Sequence, residues 1–200
     1  MSWMQSHLRD AYVRKAHQEG YRSRAAYKLK AIDDKDRLLQ PGKVVVDLGA
    51  SPGGWSQYAV QRVGPEGYVI ALDRLPMAPI PGVLFLQEDF TEETALKRLQ
   101  EALEGKAVDL VLSDMAPNMT GMRSVDQPRS IHLAELALDF ARRSLAPGGD
   151  FLVKVFQGEG FDGLRRELAR DFKKVVIRKP QASRSKSREM YVLARNRFDI

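Results

Sequence analysis

Two hundred residues, 44% hydrophobic and 29% charged, suffice for one globular domain with a proper core and exclude an intrinsically disordered chain. The absence of cysteine excludes disulfide scaffolds, thiolate metal sites and thiol nucleophiles; His7, His17 and His132 show no ligand spacing, so no metal is expected. The net charge of +6 is divided unevenly: residues 1–30 hold seven Lys/Arg against two acids, residues 173–188 hold seven against none, and the stretch between is acidic. Basic flanks on an acidic body suit contact with a polyanion, although a solvated basic surface has the same signature.

No apolar run approaches the roughly 20 residues that span a bilayer. The first 24 residues lack the apolar core of a signal peptide. A cytoplasmic chain with no membrane attachment is therefore expected. Residues 6–18 and 22–34 read as helices, with Ser23 placed to cap the second. They form an N-terminal extension, 1–34, of the same domain whose body is 35–200. After Gln40-Pro41-Gly42 the pattern changes to Lys43-Val44-Val45-Val46-Asp47, a β-branched run that reads as a buried parallel strand. Strand-like runs recur at 68–72, 83–87, 108–112, 150–156, 174–178 and 190–194, with amphipathic stretches at 54–62, 92–103, 129–144 and 161–170. This alternation predicts an α/β fold with helices on both faces of the sheet and ligands at the carboxyl edge of the strands. The last two strands are joined by a basic segment, 179–188, too short for a crossover helix, so they form an antiparallel hairpin. The expected architecture is a seven-stranded, mostly parallel sheet with one antiparallel strand, the Rossmann-like variant used by S-adenosylmethionine-dependent methyltransferases.

The sharpest motif is Asp47-Leu48-Gly49-Ala50-Ser51-Pro52-Gly53-Gly54-Trp55, between the first strand and a helix. Its glycines let backbone approach a ligand. Ser51 stands where a dinucleotide loop needs its second glycine, which disfavours an oxidoreductase. S-adenosylmethionine, with no phosphate, fits better: Asp47 suits its cationic groups and the N–H groups near Gly53 its carboxylate. Asp73, after the second strand, is placed to accept ribose hydroxyls. Asp89, after the third, is placed to meet the adenine amine, though strand-end aspartates also serve as helix caps. Trp55 reads equally as a residue packed on the sheet.

The fourth strand ends in Ser113-Asp114-Met115-Ala116-Pro117-Asn118, without the aromatic that amine methyltransferases place here. The lack of cysteine removes the thiol route to pyrimidine carbons. The fifth strand, Phe151-Leu152-Val153-Lys154-Val155-Phe156, carries a lysine in an apolar run. Such a lysine either snorkels outward or pairs with acids. The neighbouring strand ends in Asp114, and Glu189 opens the last strand near the same edge. The loop 115–128 beside them reads either as a mobile substrate loop or as a stretch irregular for no catalytic reason.

The segments Gly49–Tyr58, Ser113–Asn118, Val153–Gly158, Ser187-Arg188-Glu189 and Arg22–Leu29 together resemble the FtsJ/RrmJ family of ribosomal RNA ribose methyltransferases over nearly the whole chain. The resemblance implies a catalytic tetrad at Lys28, Asp114, Lys154 and Glu189, and cofactor contacts at Gly53, Trp55, Asp73, Asp89 and Asp114. It further implies S-adenosyl-L-methionine as cofactor and, as target, a uridine 2′-hydroxyl in the A loop of 23S rRNA within the 50S subunit. In that reading Lys154 is the general base or steers the hydroxyl, the basic segments 9–30 and 173–188 contact phosphates, and the protein is a monomer with no obligate protein partner. Methylation of another RNA, a messenger cap included, and a non-catalytic role in ribosome assembly are the alternatives.

Overall fold

The period-2 and period-3.6 runs settle, in the computed structural model, into one sheet flanked by helices. Residues 3–183 and 187–199 are described; Arg184 and Lys186 of the basic 173–188 stretch, and the side chain of Arg9, fall outside them. Two helices, α1 (Trp3–Glu19) and α2 (Ala26–Asp36), precede β1 (Val44–Leu48), α3 (Gly54–Val63), β2 (Tyr68–Asp73), β3 (Val83–Gln87), α4 (Glu93–Leu103) and β4 (Val108–Ser113). The chain continues through α5 (Arg123–Ser144), β5 (Leu145–Phe156), α6 (Phe161–Asp171), β6 (Phe172–Arg178) and β7 (Glu189–Arg197).

The strand order is β3-β2-β1-β4-β5-β7-β6. Strands β1 to β5 pair in parallel, and β7 lies antiparallel between β5 and β6. The expected hairpin is therefore present, and β7 enters between β5 and β6 rather than adding at the edge. This has a consequence for the site. Because β7 runs the opposite way, its first residue, Glu189, pairs with Phe156 at the end of β5, and Tyr191 pairs with Lys154. The start of β7 thus joins the carboxyl edge of the parallel strands.

Successive side chains alternate between two apolar layers. Val46, Val111, Phe151, Val153 and Val192 pack beneath α4, α5 and α6. Val45, Leu110, Leu112, Leu152 and Tyr191 pack beneath α2 and α3. Lys154, two residues after Leu152, falls on the second face, where α2 brings Lys28. The helical extension is fastened to this face by Arg178, whose guanidinium donates two 2.7 Å hydrogen bonds to the Asp36 carboxylate at the end of α2.

Two local expectations need correction. Ser23 does not cap α2: residues 23–27 form a tight turn, Ala25 occupies the N-cap without a side-chain bond, and the Ser23 Oγ is buried against Gly54. And α5 begins at Arg123, passing through Pro128, so that only 115–122 of the expected 115–128 loop is irregular. The Asp126 carboxylate accounts for the early start. It accepts hydrogen bonds from the Thr120 and Gly121 amides and the Thr120 hydroxyl, at 2.8–2.9 Å, and fixes the turn leading into the helix.

Candidate active site

The loop from β1 into α3 is shaped by close backbone approach. Gly49 has φ +78°, and a Cβ placed there would lie 2.9 Å from the backbone N of Met115. Gly53 has φ +114°, and a Cβ there would meet Ile80 Cδ1 at 2.8 Å. Glycine is the residue that accepts both demands. Arg22 braces this region: its guanidinium donates to the carbonyls of Pro52 (3.4 Å), Ala78 and Pro79 (2.6 Å).

Beside the loop, the ends of β2, β3 and β4 enclose a cavity of about 540 Å³ lined by Gly49, Asp73, Asp89, Phe90, Asp114 and Met115, among others. Its size suits a cofactor. Each Asp73 oxygen accepts one backbone N–H, from Ser51 at 2.9 Å and Leu75 at 2.8 Å, which fixes the carboxylate and leaves lone pairs for hydroxyls. Asp89 is not a helix cap, that position belonging to Glu92. It accepts two bonds from Thr91, amide and hydroxyl, on one oxygen, and these hold its carboxyl below the usual range. The Trp55 side chain is buried elsewhere, donating to the Ala25 carbonyl at 2.8 Å and packing 5.6 Å from the Tyr191 ring.

Asp47 departs from expectation. Its side chain is fully buried and accepts a 2.6 Å bond from Ser56 at the start of α3, so it supports the loop from below and meets no cationic ligand. The reason is alternation: Asp47 shares the face of Val45, which α3 covers. Burial pushes its carboxyl up to about 7, against the Ser56 bond, and the charges of Asp114 and Asp73 push the same way. A carboxyl raised in this way stabilises the fold fully below its unfolded value of 3.8, and the contribution is lost as pH rises to and through 7. The full loss corresponds to about 4 kcal/mol. Asp47→Asn is expected to flatten that decline, so thermal melts at pH 5 and pH 8 differ less in the variant than in the wild type. Equal declines in both proteins would refute the assignment.

At the junction of β4, β5 and β7 the four expected catalytic residues meet as two pairs. The Lys154 ammonium donates to the Asp114 carbonyl at 2.7 Å and lies 3.2 Å from its carboxylate. The Lys28 ammonium lies 2.5 Å from Glu189 Oε1. All four side chains are less than one-fifth exposed. Burial alone would raise the Glu189 carboxyl, but the charges of Lys28 and Lys154 and the Lys28 hydrogen bond hold it below its ordinary value.

Tyr191 joins the two pairs and was not singled out by sequence. Its hydroxyl donates to Asp114 Oδ1 at 2.8 Å and stands 3.5 Å from Glu189 Oε1, while Lys28 lies 6.0 Å over its ring. Burial, then the charges of Asp114 and Glu189, raise its pKa far above the usual tyrosine value and keep it a donor. The signal available in the sequence was its spacing of two from Glu189 on a strand, which puts both on one face.

A family model for FtsJ-like methyltransferases matches residues 21–197. The chain belongs to the FtsJ-like methyltransferases. It is 64% identical over 192 residues to the ribosomal RNA large subunit methyltransferase E of Azoarcus sp. (strain BH72), covering 96% of this chain and 94% of that one. It is 62% identical over 193 residues to the protein of the same name from Alkalilimnicola ehrlichii, covering 96% and 92%. A crystal structure from Plasmodium falciparum, assigned as a ribosomal RNA methyltransferase, superposes with a TM-score of 0.81 at 32% identity over 89% of this chain and 99% of that one.

In this FtsJ-like methyltransferase the basic flanks divide between structural and exposed cations. Arg22 and Arg178 are engaged as above, Arg24 donates to the Ala182 carbonyl, Lys179 to that of Ser187 and Arg188 to that of Gln157. Lys173 and Lys174 remain exposed on β6. Among the described residues, no helix is long and apolar enough to cross a membrane.

Proposed function

We propose that this FtsJ-like methyltransferase transfers a methyl group from S-adenosyl-L-methionine to the ribose 2′-hydroxyl of a uridine in 23S rRNA, in the A loop of the assembled 50S subunit. It acts as a cytoplasmic monomer. The observation that carries the reading is the pair of partly buried lysines at the sheet edge, each held by a carboxylate, with Asp114 shared between Lys154 and the cavity. The names carried by its relatives support the large-subunit rRNA target.

Bound in the cavity, S-adenosylmethionine supplies an electrophilic methyl group on a sulfonium. Asp73 would take the ribose hydroxyls of that cofactor and Asp89 the adenine amine, while the loop backbone near Gly53 and Trp55, which lies outside the lining of the large cavity, would face its methionine end. The tight floor at Gly49 and the acids around the cavity suit an uncharged nucleoside with a cationic sulfur.

The residues of the chain do the rest by alignment and proton handling. A ribose hydroxyl attacks only as its proton leaves, so a basic or steering group must stand at its oxygen. Lys154 fills that place, fixed by two contacts to Asp114. Lys28, set by Glu189, offsets the charge developing on the oxygen, and Tyr191 fixes the spacing between the pairs. No aromatic clamp for an amine-bearing base follows Asp114, which favours a hydroxyl target.

Mapping ribose methylation in rRNA from cells with and without the protein tests the assignment. One 2′-O-methyl uridine in the A loop should disappear with the protein. An unchanged large-subunit rRNA would overturn it, and would leave the other RNAs or a non-catalytic assembly role in its place.

A further inference from the structure

Beside the catalytic cluster, two loops carry apolar side chains into solvent. Among the described residues the exposed large hydrophobics are Val13, Leu75, Leu84, Met119, Met122 and Ile177. Three of the six, Leu75 (56% exposed), Met119 (55%) and Met122 (59%), lie on the segments following β2 and β4. Those segments are tied together by a 2.6 Å hydrogen bond from the Arg74 guanidinium to Asn118 Oδ1, and Arg74, Leu75 and Asn118 all line the cavity.

Single exposed apolar residues are ordinary on any surface. Met119 and Met122 are set apart by how they are held. The β4–α5 turn is anchored at one end by the Asp114 amide, which donates to the Leu48 carbonyl at 3.0 Å, and at the other by the three bonds to Asp126. Met119 and Met122 are therefore exposed on a turn that is held at both ends. Exposed arginines, Arg74, Arg123 and Arg129, accompany them on the same segments, and the acid of the turn, Asp126, is buried and fully engaged.

We infer that Met119 and Met122 form a stacking platform for an unpaired nucleobase of the RNA substrate, beside the nucleotide being methylated. The inference rests on the RNA reading given above and goes beyond it by assigning base contacts to residues outside the tetrad. Its physical basis is complementarity. An unstacked base is flat, polarizable and joined to phosphates, and thioethers are soft surfaces that adapt to such a ring. Arginines around the platform suit the phosphates. A hydrophobic protein surface would suit the methionines too, but the turn that carries them leaves directly from Asp114, whose carbonyl holds Lys154. A nucleotide adjoining the one held at the tetrad is covalently kept on that side, and the arginines beside the turn favour its phosphates over a protein surface.

The test compares a fluorescent 12-nucleotide single-stranded RNA with an oligomer of equal length carrying stable abasic ribose units. The wild-type protein should bind the base-bearing RNA about tenfold or more tightly than the abasic one, as stacking of one base implies. The double variant Met119→Ser/Met122→Ser should lose most of that ratio while keeping the wild-type salt dependence, which reports phosphate contacts. Met119→Phe/Met122→Phe should restore it. Binding of S-adenosylhomocysteine should be equal in all three proteins and verifies their folds. A ratio unchanged by the serine variant overturns the platform, as does a wild-type protein that does not distinguish the two oligomers. So does a serine variant that binds free RNA normally yet fails on isolated large ribosomal subunits, which would make the occupant a ribosomal protein. A wild-type protein that neither binds RNA nor methylates large subunits from cells lacking it refutes the RNA reading itself, a different result from normal methylation with no methionine effect.

Discussion

Lys154→Ala is expected to lower methyl transfer by about 10²- to 10⁴-fold while leaving the affinity for S-adenosylhomocysteine unchanged. The ammonium is held at 2.7 Å from the Asp114 carbonyl and 3.2 Å from its carboxylate, with only 9% of the side chain exposed. That geometry restricts it to one place at the sheet edge, where in the proposed mechanism the incoming hydroxyl loses its proton. Removing it leaves Asp114 still bonded to Tyr191, so the fold and the cavity should persist. Single-turnover methylation separates the chemical step from binding. A variant that methylates at the wild-type rate would remove Lys154 from the mechanism. Lys154→Arg then divides the two roles: arginine keeps the charge and can hold a hydroxyl, but it does not give up its proton. Retained activity in the arginine variant would make Lys154 an orienting group, and loss comparable to that of alanine would make it the base.

Gly49→Ala is expected to be the most damaging change of the glycine loop. The residue sits at φ +78°, and an added Cβ would meet Met115 backbone N at 2.9 Å and Cα at 3.0 Å. The left-handed conformation alone costs roughly 1–2 kcal/mol. Overlap with backbone, which cannot rotate away, brings the expected total to about 3 kcal/mol or more. For a chain of this size that corresponds to a fall in Tm of roughly 10 °C. Because Met115 and Asp114 line the cavity proposed for S-adenosylmethionine, the displacement should also weaken S-adenosylhomocysteine binding. Gly42→Ala provides the control. Gly42 has φ +82° but nothing within 4 Å of an added Cβ, so it should lose only the conformational part and bind cofactor normally. Equal losses in the two variants would show that the Met115 contact is unimportant.

Much of this was legible in the chain. The strand runs appear close to their expected bounds because β-branched periodicity and its glycine punctuation are local signals. Lys154 announced itself as a charge within an apolar strand, and alternation with Leu152 placed it on the face where its partners stand. Local signals failed where a distant group competes. The helix α5 was expected only after Pro128, and the Asp126 carboxylate starts it at Arg123 by binding Thr120 and Gly121. Ser23 had the right type for a cap, and a preceding turn directs its oxygen toward Gly54 instead. Asp47 sits where an acid should meet the cofactor, and α3 covers it.

By itself the sequence determined the elements, their alternation, the glycine loop and the identity of the residues able to hold and move a proton, because these follow from backbone sterics and side-chain chemistry along short stretches. Tertiary structure alone decided which charges pair. Lys28 and Glu189 are 161 residues apart, and they meet because β7 enters the sheet antiparallel and brings its first residue to the edge where the first turn of α2 carries Lys28. The same insertion places Tyr191 between the two pairs, and the fold, by consuming Arg22 and Arg178 in its own bracing, decides which of the basic flanks is left for a polyanion.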